Sequence, residues 1–353
     1  MHLGTDVRPL LWKAKTGRTI AASGGVRVLL IGTGRRAVHA ARALQESPRE
    51  TVVMGTLDSA PQPELAAEFP EIPWLGGFGE LLDVIVDQAI DEIQVALPQR
   101  ICFDQVRALE AACKELGVPS TFRLGRRADS WDPAPDDESD PVVMTFNRHR
   151  SLNLVPRLAK RALDLAVALI SLVLFLPLVA VIALAIRLTS PGPVFFAQPR
   201  MGLGRRVFQM VKFRTMVENA EQVRKEVEHM NDARGISFKL FRDPRVTRVG
   251  AFLRRTSLDE LPQLINVIRG DMSLVGPRPI PVWVAEQLRE PKYFRRYSVL
   301  PGITGLWQVK GRQQDFDLMA TQDLRYLDSW TFSLDLKILA ATIPAVLSGK
   351  GAH

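Results

Sequence analysis

The segment Leu165–Ile186 constrains this chain more than any other: it runs for 22 residues without a charge and is interrupted once, by Pro177. At ~1.5 Å per residue a straight helix of that length reaches across a hydrocarbon core of about 30 Å. A buried core helix is the ordinary alternative, but such helices rarely run this long and this uniformly apolar. Arg157, Lys160 and Arg161 precede the segment and Arg187 follows it, so positive charge selects no side. Proline removes a backbone donor and kinks a helix, here near the middle. Each half then measures about 15–18 Å, roughly half the hydrocarbon thickness. A re-entrant helix-break-helix with both ends on one face satisfies all of this; a plain single span is the competing topology.

The remaining chain is long enough for two modest domains, with 353 residues of which 46% are hydrophobic. A net charge of +8 favours anionic partners such as nucleotides, phosphates and phospholipid head groups. Two cysteines, Cys102 and Cys113, exclude a disulfide framework, and the five histidines never cluster as a zinc site requires. Residues 1–25 read as a leader without the apolar core of a signal peptide.

Residues 26–128 alternate strand and helix patterns: strands over Val26–Ile31, Thr51–Leu57, Glu92–Leu97 and Val118–Leu124, helices over Ala37–Gln45, Leu81–Ala89 and Asp104–Leu116. That alternation predicts an α/β layered domain with a parallel sheet. Gly32-x-Gly34-x-x-Ala37 follows the first strand, and Asp58 lies twenty-one residues beyond Ala37. The spacing looks like a dinucleotide fingerprint and makes Gly32, Gly34 and Asp58 candidate cofactor-binding residues in a Rossmann-like domain. A structural or regulatory module without a ligand is the alternative. Residues 129–150 read as an acidic linker, because Asp129–Pro141 holds six acids, three prolines and no basic residue.

Beyond Ser190 the chain is basic and dense in motifs. Lys212 and Arg214, in Lys212-Phe-Arg214-Thr-Met216, are two apart and are expected on one side of a strand, where two cations suit a diphosphate. Asp259 and Glu260 stand in Arg255-Thr-Ser-Leu-Asp259-Glu260-Leu-Pro262. Ser257 and Glu260 have the spacing of an ordinary capping box, but Pro262 lacks the donor such a helix would use. A carboxylate held ionised at a helix start, beside free N–H groups, is instead suited to phosphate chemistry. Arg278, between Pro277 and Pro279 and behind Gly276, is an arginine on a stiff backbone, suited to oxyanion capture. Pro301-Gly-Ile-Thr304-Gly305-Leu-Trp307-Gln308 and Gly311-Arg312 form tight turns that bring backbone close to a ligand or serve as a structural loop.

Taken together, the segments from roughly Arg157 to His353 resemble the bacterial sugar transferases, the monotopic polyprenyl-phosphate phosphoglycosyl transferases. The resemblance rests on the apolar segment broken at Pro177, Lys-Phe-Arg-Thr-Met, Thr-Ser-Leu-Asp-Glu-Leu-Pro-Gln-Leu, Gly-Asp-Met-Ser-Leu-Val-Gly-Pro-Arg-Pro and Pro-Gly-Ile-Thr-Gly-Leu-Trp-Gln-Val. It implies Asp259 as nucleophile and Mg2+ ligand, Glu260 as its partner, Arg278 on phosphate, and Arg255 and Arg312 as further phosphate candidates. It also implies a re-entrant helix over 151–189 and a compact α+β, membrane-associated catalytic domain over 190–353. The implied donor is a UDP-sugar and the implied acceptor a polyprenyl phosphate, at the cytoplasmic face of the inner membrane, initiating capsule, exopolysaccharide or O-antigen synthesis. Membrane lipid is an expected partner and nucleic acid is not; homo-oligomers are left open. Two departures stand out. No segment before Leu165 is long and apolar enough for the transmembrane helices that open larger members, and Leu300 stands where the family often has a basic residue.

Two rival readings exist. A membrane-tethered nucleotide-sugar oxidoreductase would centre on Gly32–Ala37, but no tyrosine among Tyr293, Tyr297 and Tyr326 has a lysine four residues on. A lipid-bound scaffold leaves the Asp-Glu and arginine motifs without a role.

Overall fold

The computed structural model describes residues 25–32, 34–61, 63–96, 103–124, 142–146, 154–218, 220, 243–288, 290–311 and 315–348. The chain divides into two compact units, Met1–Lys114 with Val118–Asn147, and Glu115–Gly117 with Arg148–His353.

In the first unit, the strands are β1 (Val26–Gly32), β2 (Thr51–Leu57), β3 (Trp74–Gly76), β4 (Glu92–Ala96), β5 (Ser120–Leu124) and β6 (Val142–Phe146). They form one sheet in the order β3-β2-β1-β4-β5-β6, parallel except for β6, which runs antiparallel to β5. Strand β1 is central because Val28, Leu29, Leu30 and Ile31 are all buried, as a parallel strand covered on both faces requires. Helix α1 (Gly34–Gln45) packs through Ala37, Ala40, Ala41 and Leu44, the spacing of a single helical face. Helices α2 (Pro63–Glu68), α3 (Leu81–Gln88) and α4 (Phe103–Leu116) complete the unit.

Two differences from the sequence reading follow from element length and edge pairing. Helix α2 and strand β3 hold six and three residues, too few for a periodicity to register. Strand β6 falls inside the span read as an acidic linker: the apolar run Val142-Val-Met-Thr-Phe146 pairs along the free edge of β5.

The second unit starts with α5 (Leu154–Thr189), 36 residues with Pro177 inside. The two helices expected on either side of Pro177 are one continuous element. A proline withdraws one hydrogen bond from the ladder, and the long apolar runs on both sides carry the helix through. By length and composition α5 is able to cross a membrane. Both its ends, however, pack on the same unit. Ala168 enters a core of Met210, Leu264, Val267, Met272, Leu274 and Tyr326. Ile182 and Ile186 enter a second core with Phe213 and Leu253. Between them Ile170, Val173, Leu174 and Leu176 are exposed.

Strands β7 (Phe195–Met201) and β8 (Val207–Phe213) form an antiparallel hairpin. Helices α6 (Arg248–Arg255) and α7 (Gln263–Arg269) follow, then β9 (Ser273–Val275), β10 (Ile280–Pro281), α8 (Val282–Ala285), β11 (Gly302–Thr304), α9 (Leu306–Val309), α10 (Phe316–Ser329) and α11 (Phe332–Leu347). Strand β10 pairs with β7 and β9 with β11. The polar residues opening α5 grip the segments that carry the motifs. Lys160 Nζ donates to the Val275 carbonyl (3.0 Å) and to Asp335 (2.6 Å). Arg161 donates to the Val267 and Ile268 carbonyls at the end of α7, and Asp164 accepts from the Leu274 N–H.

Candidate functional site

Asp259 and Glu260 lie in a short 3-10 turn, Leu258–Glu260, between α6 and α7. Ser257, which opens the turn, has φ of 56° in the left-handed region and makes no side-chain cap. The capping box is therefore not formed, and a non-glycine residue in that region marks local strain beside the two carboxylates. Buried Asn266 ties α7, the helix that follows the turn, to β8: its side-chain amide donates to the Gln209 carbonyl (2.7 Å) and its oxygen accepts from the Val211 N–H (3.0 Å).

That staple places Lys212 of β8 on the dyad. Lys212 Nζ is 2.8 Å from Glu260 Oε1 and 3.9 Å from Asp259 Oδ2. Arg278 Nη2 approaches the same Glu260 oxygen at 3.6 Å, and its guanidinium lies 5.8 Å from the Trp307 ring centroid. Asp259 is 8% exposed. Burial pushes its carboxyl above the usual range and Glu260 adds to the rise, while Lys212, Arg254 and Arg278 pull it down. The result is a carboxylate stripped of most of its water and surrounded by cations.

Of the other residues singled out in the sequence, Arg214 is not with Lys212. Strand β8 ends at Phe213, so the two-residue alternation stops before Arg214, whose buried side chain donates to the Ser190 carbonyl at 2.8 Å. Arg255 is exposed, and the neighbouring Arg254 takes the inward place instead, donating to Thr215 Oγ1 at 2.9 Å. The signal for this was present: Gly250, Leu253 and Arg254 share one helical face. Arg200 of β7 is a further cation that the sequence analysis does not single out. It is half-buried with its charge near Arg278 and Glu260, and desolvation together with the Arg278 charge lowers its pKa to about 9. Arg312 lies outside the described residues. The glycines of the Pro301–Gly305 loop approach protein backbone: a Cβ on Gly302 would sit 2.1 Å from the Gly276 nitrogen, and one on Gly305 2.3 Å from the Gly276 carbonyl oxygen. This loop supports the Arg278 segment from behind.

In the first unit, Gly32 ends β1 with φ of 155°, and a Cβ there would lie 2.2 Å from the Ala96 carbonyl oxygen. Gly34 opens α1. Asp58 is buried just past β2, and its Oδ1 accepts from the Ser59 N–H and hydroxyl. Its carboxylate is thus engaged with its own loop. Cys113 is buried, which pushes its thiol up to about 12 and leaves it unreactive; Cys102 lies outside the described residues.

Residues 155–349 match the family described as bacterial sugar transferase, and the chain belongs to that family. The galactosyl transferase CpsE of Streptococcus agalactiae is 44% identical over 197 residues, 55% of this chain and 43% of that protein. The UDP-glucose:undecaprenyl-phosphate glucose-1-phosphate transferase of Escherichia coli is 35% identical over 298 residues, 79% of this chain and 60% of that protein. The exopolysaccharide production protein ExoY of Rhizobium meliloti is 40% identical over 201 residues, 56% of this chain and 88% of that protein. The chain therefore spans about half the length of the first two relatives.

Mg2+ is the cofactor the family implies. Among the described residues no three His, Cys, Asp or Glu side chains gather as a metal cage. Two adjacent carboxylates nevertheless fit Mg2+, which is commonly held by one or two carboxylates plus substrate phosphates and water. Asp259, with Glu260 beside it, would hold the ion.

Proposed function

We propose that this chain transfers a phosphosugar from a UDP-sugar to a polyprenyl phosphate at the cytoplasmic face of the inner membrane, opening the assembly of a lipid-linked capsule, exopolysaccharide or O-antigen. The observation that carries this reading is the buried Asp259 among Lys212, Arg254 and Arg278. The names of the relatives supply the donor and acceptor chemistry. In the first step an Asp259 oxygen bonds to the donor β-phosphorus, the bond to the bridging oxygen breaks, and UMP leaves. In the second, a polyprenyl phosphate oxygen attacks the same phosphorus and the Asp259 carboxylate is released. Lys212 and Arg278 hold the diphosphate, and Arg254 steadies the Asp259 charge. When bound, Mg2+ would neutralise charge on the transferring group. The test is UMP release from a panel of UDP-sugars in the presence of polyprenyl phosphate; release from none of them would exclude the reading.

Because only the ionised carboxylate attacks, protonation of Asp259 should stop UMP release. In the metal-free protein burial holds that carboxyl above the ordinary aspartate value of about 4. An infrared titration of the carboxyl stretch in metal-free wild type against Asp259→Asn between pH 4 and 8 checks this, and a carboxylate that stays ionised down to pH 4 would contradict it.

We further propose that α5 is re-entrant. Its two ends pack on one folded unit while its middle is exposed, an arrangement that disfavours opposite faces for those ends. Cysteines replacing Val155 and Leu188, exposed near the two ends of α5, are expected to react with an impermeant thiol reagent from the cytoplasmic side alone. Reaction of one of them from the outer side would establish a span. The strand order of the first unit supports a Rossmann-like fold. Nucleotide binding at Gly32 and Gly34 is a lesser proposal, since Asp58 is turned onto Ser59.

A further inference from the structure

The segment carrying Arg278 has an unusual way of being held. Pro277 and Pro279 have no N–H, so this stretch is short of donors, and three elements reach it through its carbonyls instead. Gly302 N–H donates to the Pro277 oxygen at 2.9 Å. Arg296 Nη2 donates to the Arg278 oxygen at 2.7 Å. Arg200 Nη1 donates to the Pro279 oxygen at 3.3 Å. Three consecutive carbonyls are thus pinned from strand β11, a 3-10 helix (Pro291–Ser298) and strand β7.

The middle pin has a dedicated counter-ion. The same Arg296 nitrogen is 2.7 Å from Asp323 Oδ2 on α10, and the two side chains are 2% and 1% exposed. Burial pushes the Asp323 carboxyl up to about 6, against the pull of Arg296 and Arg278. A buried ion pair adds little net stability over apolar residues of similar size. It does set direction: with one hydrogen on Asp323, the other hydrogen of Arg296 Nη2 points at the Arg278 carbonyl. A shallow cleft of about 10 Å³, room for about one water, lies beside them, lined by Pro277, Arg278, Arg296 and Tyr297.

We propose that Arg296 and Asp323 are positioning residues for phosphate recognition: the pair fixes the backbone from which Arg278 reaches the diphosphate of the donor. This rests on the reading of Arg278 as a phosphate ligand. Neither Arg296 nor Asp323 touches the transferred group; both act through Arg278.

The test uses the full chain in three forms: wild type, Arg296→Met/Asp323→Leu, and Arg278→Ala. The paired apolar replacement removes both charges together, so the fold should be retained and the pin lost. Binding of inorganic diphosphate by calorimetry is expected to weaken about tenfold in the paired variant and in Arg278→Ala. UMP release should fall by at least about tenfold in the paired variant while its melting temperature stays near wild type. Placing the paired change on the Arg278→Ala background should cost nothing further, which a general packing role would not reproduce. Arg296→Lys keeps the charge opposite Asp323 without the planar fork. It should show an intermediate loss with the fold intact, and it carries the test if the paired variant does not fold.

Equal diphosphate affinity in wild type and variants, or additive losses on the Arg278→Ala background, would overturn the inference. Diphosphate binding that depends on the pair without any UMP release would support it while removing the catalytic reading.

Discussion

Replacing Lys160 with methionine should destabilise the catalytic unit by about 3–5 kcal/mol, the cost of breaking a buried ion pair from one side. Asp335 is 1% exposed by side chain, and Lys160 Nζ at 2.6 Å is its charged partner in that pocket. Tyr326 OH (2.8 Å) and the Trp330 indole N–H (3.2 Å) also donate to Asp335, but neither brings a charge. Lys160 further holds the Val275 carbonyl, next to the Gly276–Pro279 segment. At roughly 2–4 °C per kcal/mol for a unit of this size, melting should fall by about 6–20 °C. Calorimetry of the purified protein checks this. Lys160→Met/Asp335→Leu should recover most of the loss, because the stranded charge goes with its partner. A single variant that melts like wild type would show that the grip of α5 on β9 contributes little.

The same contacts explain what could and could not be read from residues alone. The dyad, Lys212 and Arg278 were legible because each sits in a short motif whose chemistry is local: adjacent acids, a strand lysine, an arginine between prolines. Arg214 was misplaced because alternation was carried one residue past the end of β8. Arg255 came as a phosphate candidate only through the resemblance, and in the structure it is exposed while Arg254 shares the helical face of Gly250 and Leu253. Arg296 and Asp323 left no sequence signal at all; they are 27 residues apart and meet only through the packing of α10 on the 3-10 helix. In the first unit the long strands and α1 carried clear apolar patterns, while β6 was hidden by the acidic stretch before it.

Trp330 shows how a surface reading changes with packing. The segment Trp330–Leu347 reads in two ways from its residues, as an amphipathic helix at the lipid head-group level or as a helix packed on the catalytic core. In the structure Trp330, Leu334 and Leu339 pack against the core, and among the described side chains of α11 Leu336 and Ile343 are the large apolar ones left exposed. A membrane contact of α11 would therefore run through Leu336 and Ile343.

The central claim is covalent catalysis by Asp259, and Asp259→Asn addresses it directly. The substitution keeps the shape of the side chain and removes the nucleophilic charge. Burial raises the Asp259 pKa, so its ionised form works against folding at neutral pH and the asparagine variant should melt no lower than wild type. Loss of turnover then reports chemistry; removal of a nucleophile commonly costs on the order of 10³-fold or more. The decisive measurement withholds the polyprenyl phosphate acceptor and follows UMP release from the UDP-sugar in rapid-mix experiments. Wild type should release about one UMP per active site in a burst and retain the phosphosugar as an acyl phosphate, the signature of a two-step covalent route. The Asp259→Asn protein should give no burst. A wild-type enzyme that releases UMP only when acceptor is present, or an Asp259→Asn enzyme that keeps the burst, would contradict the account and move the chemistry to another residue.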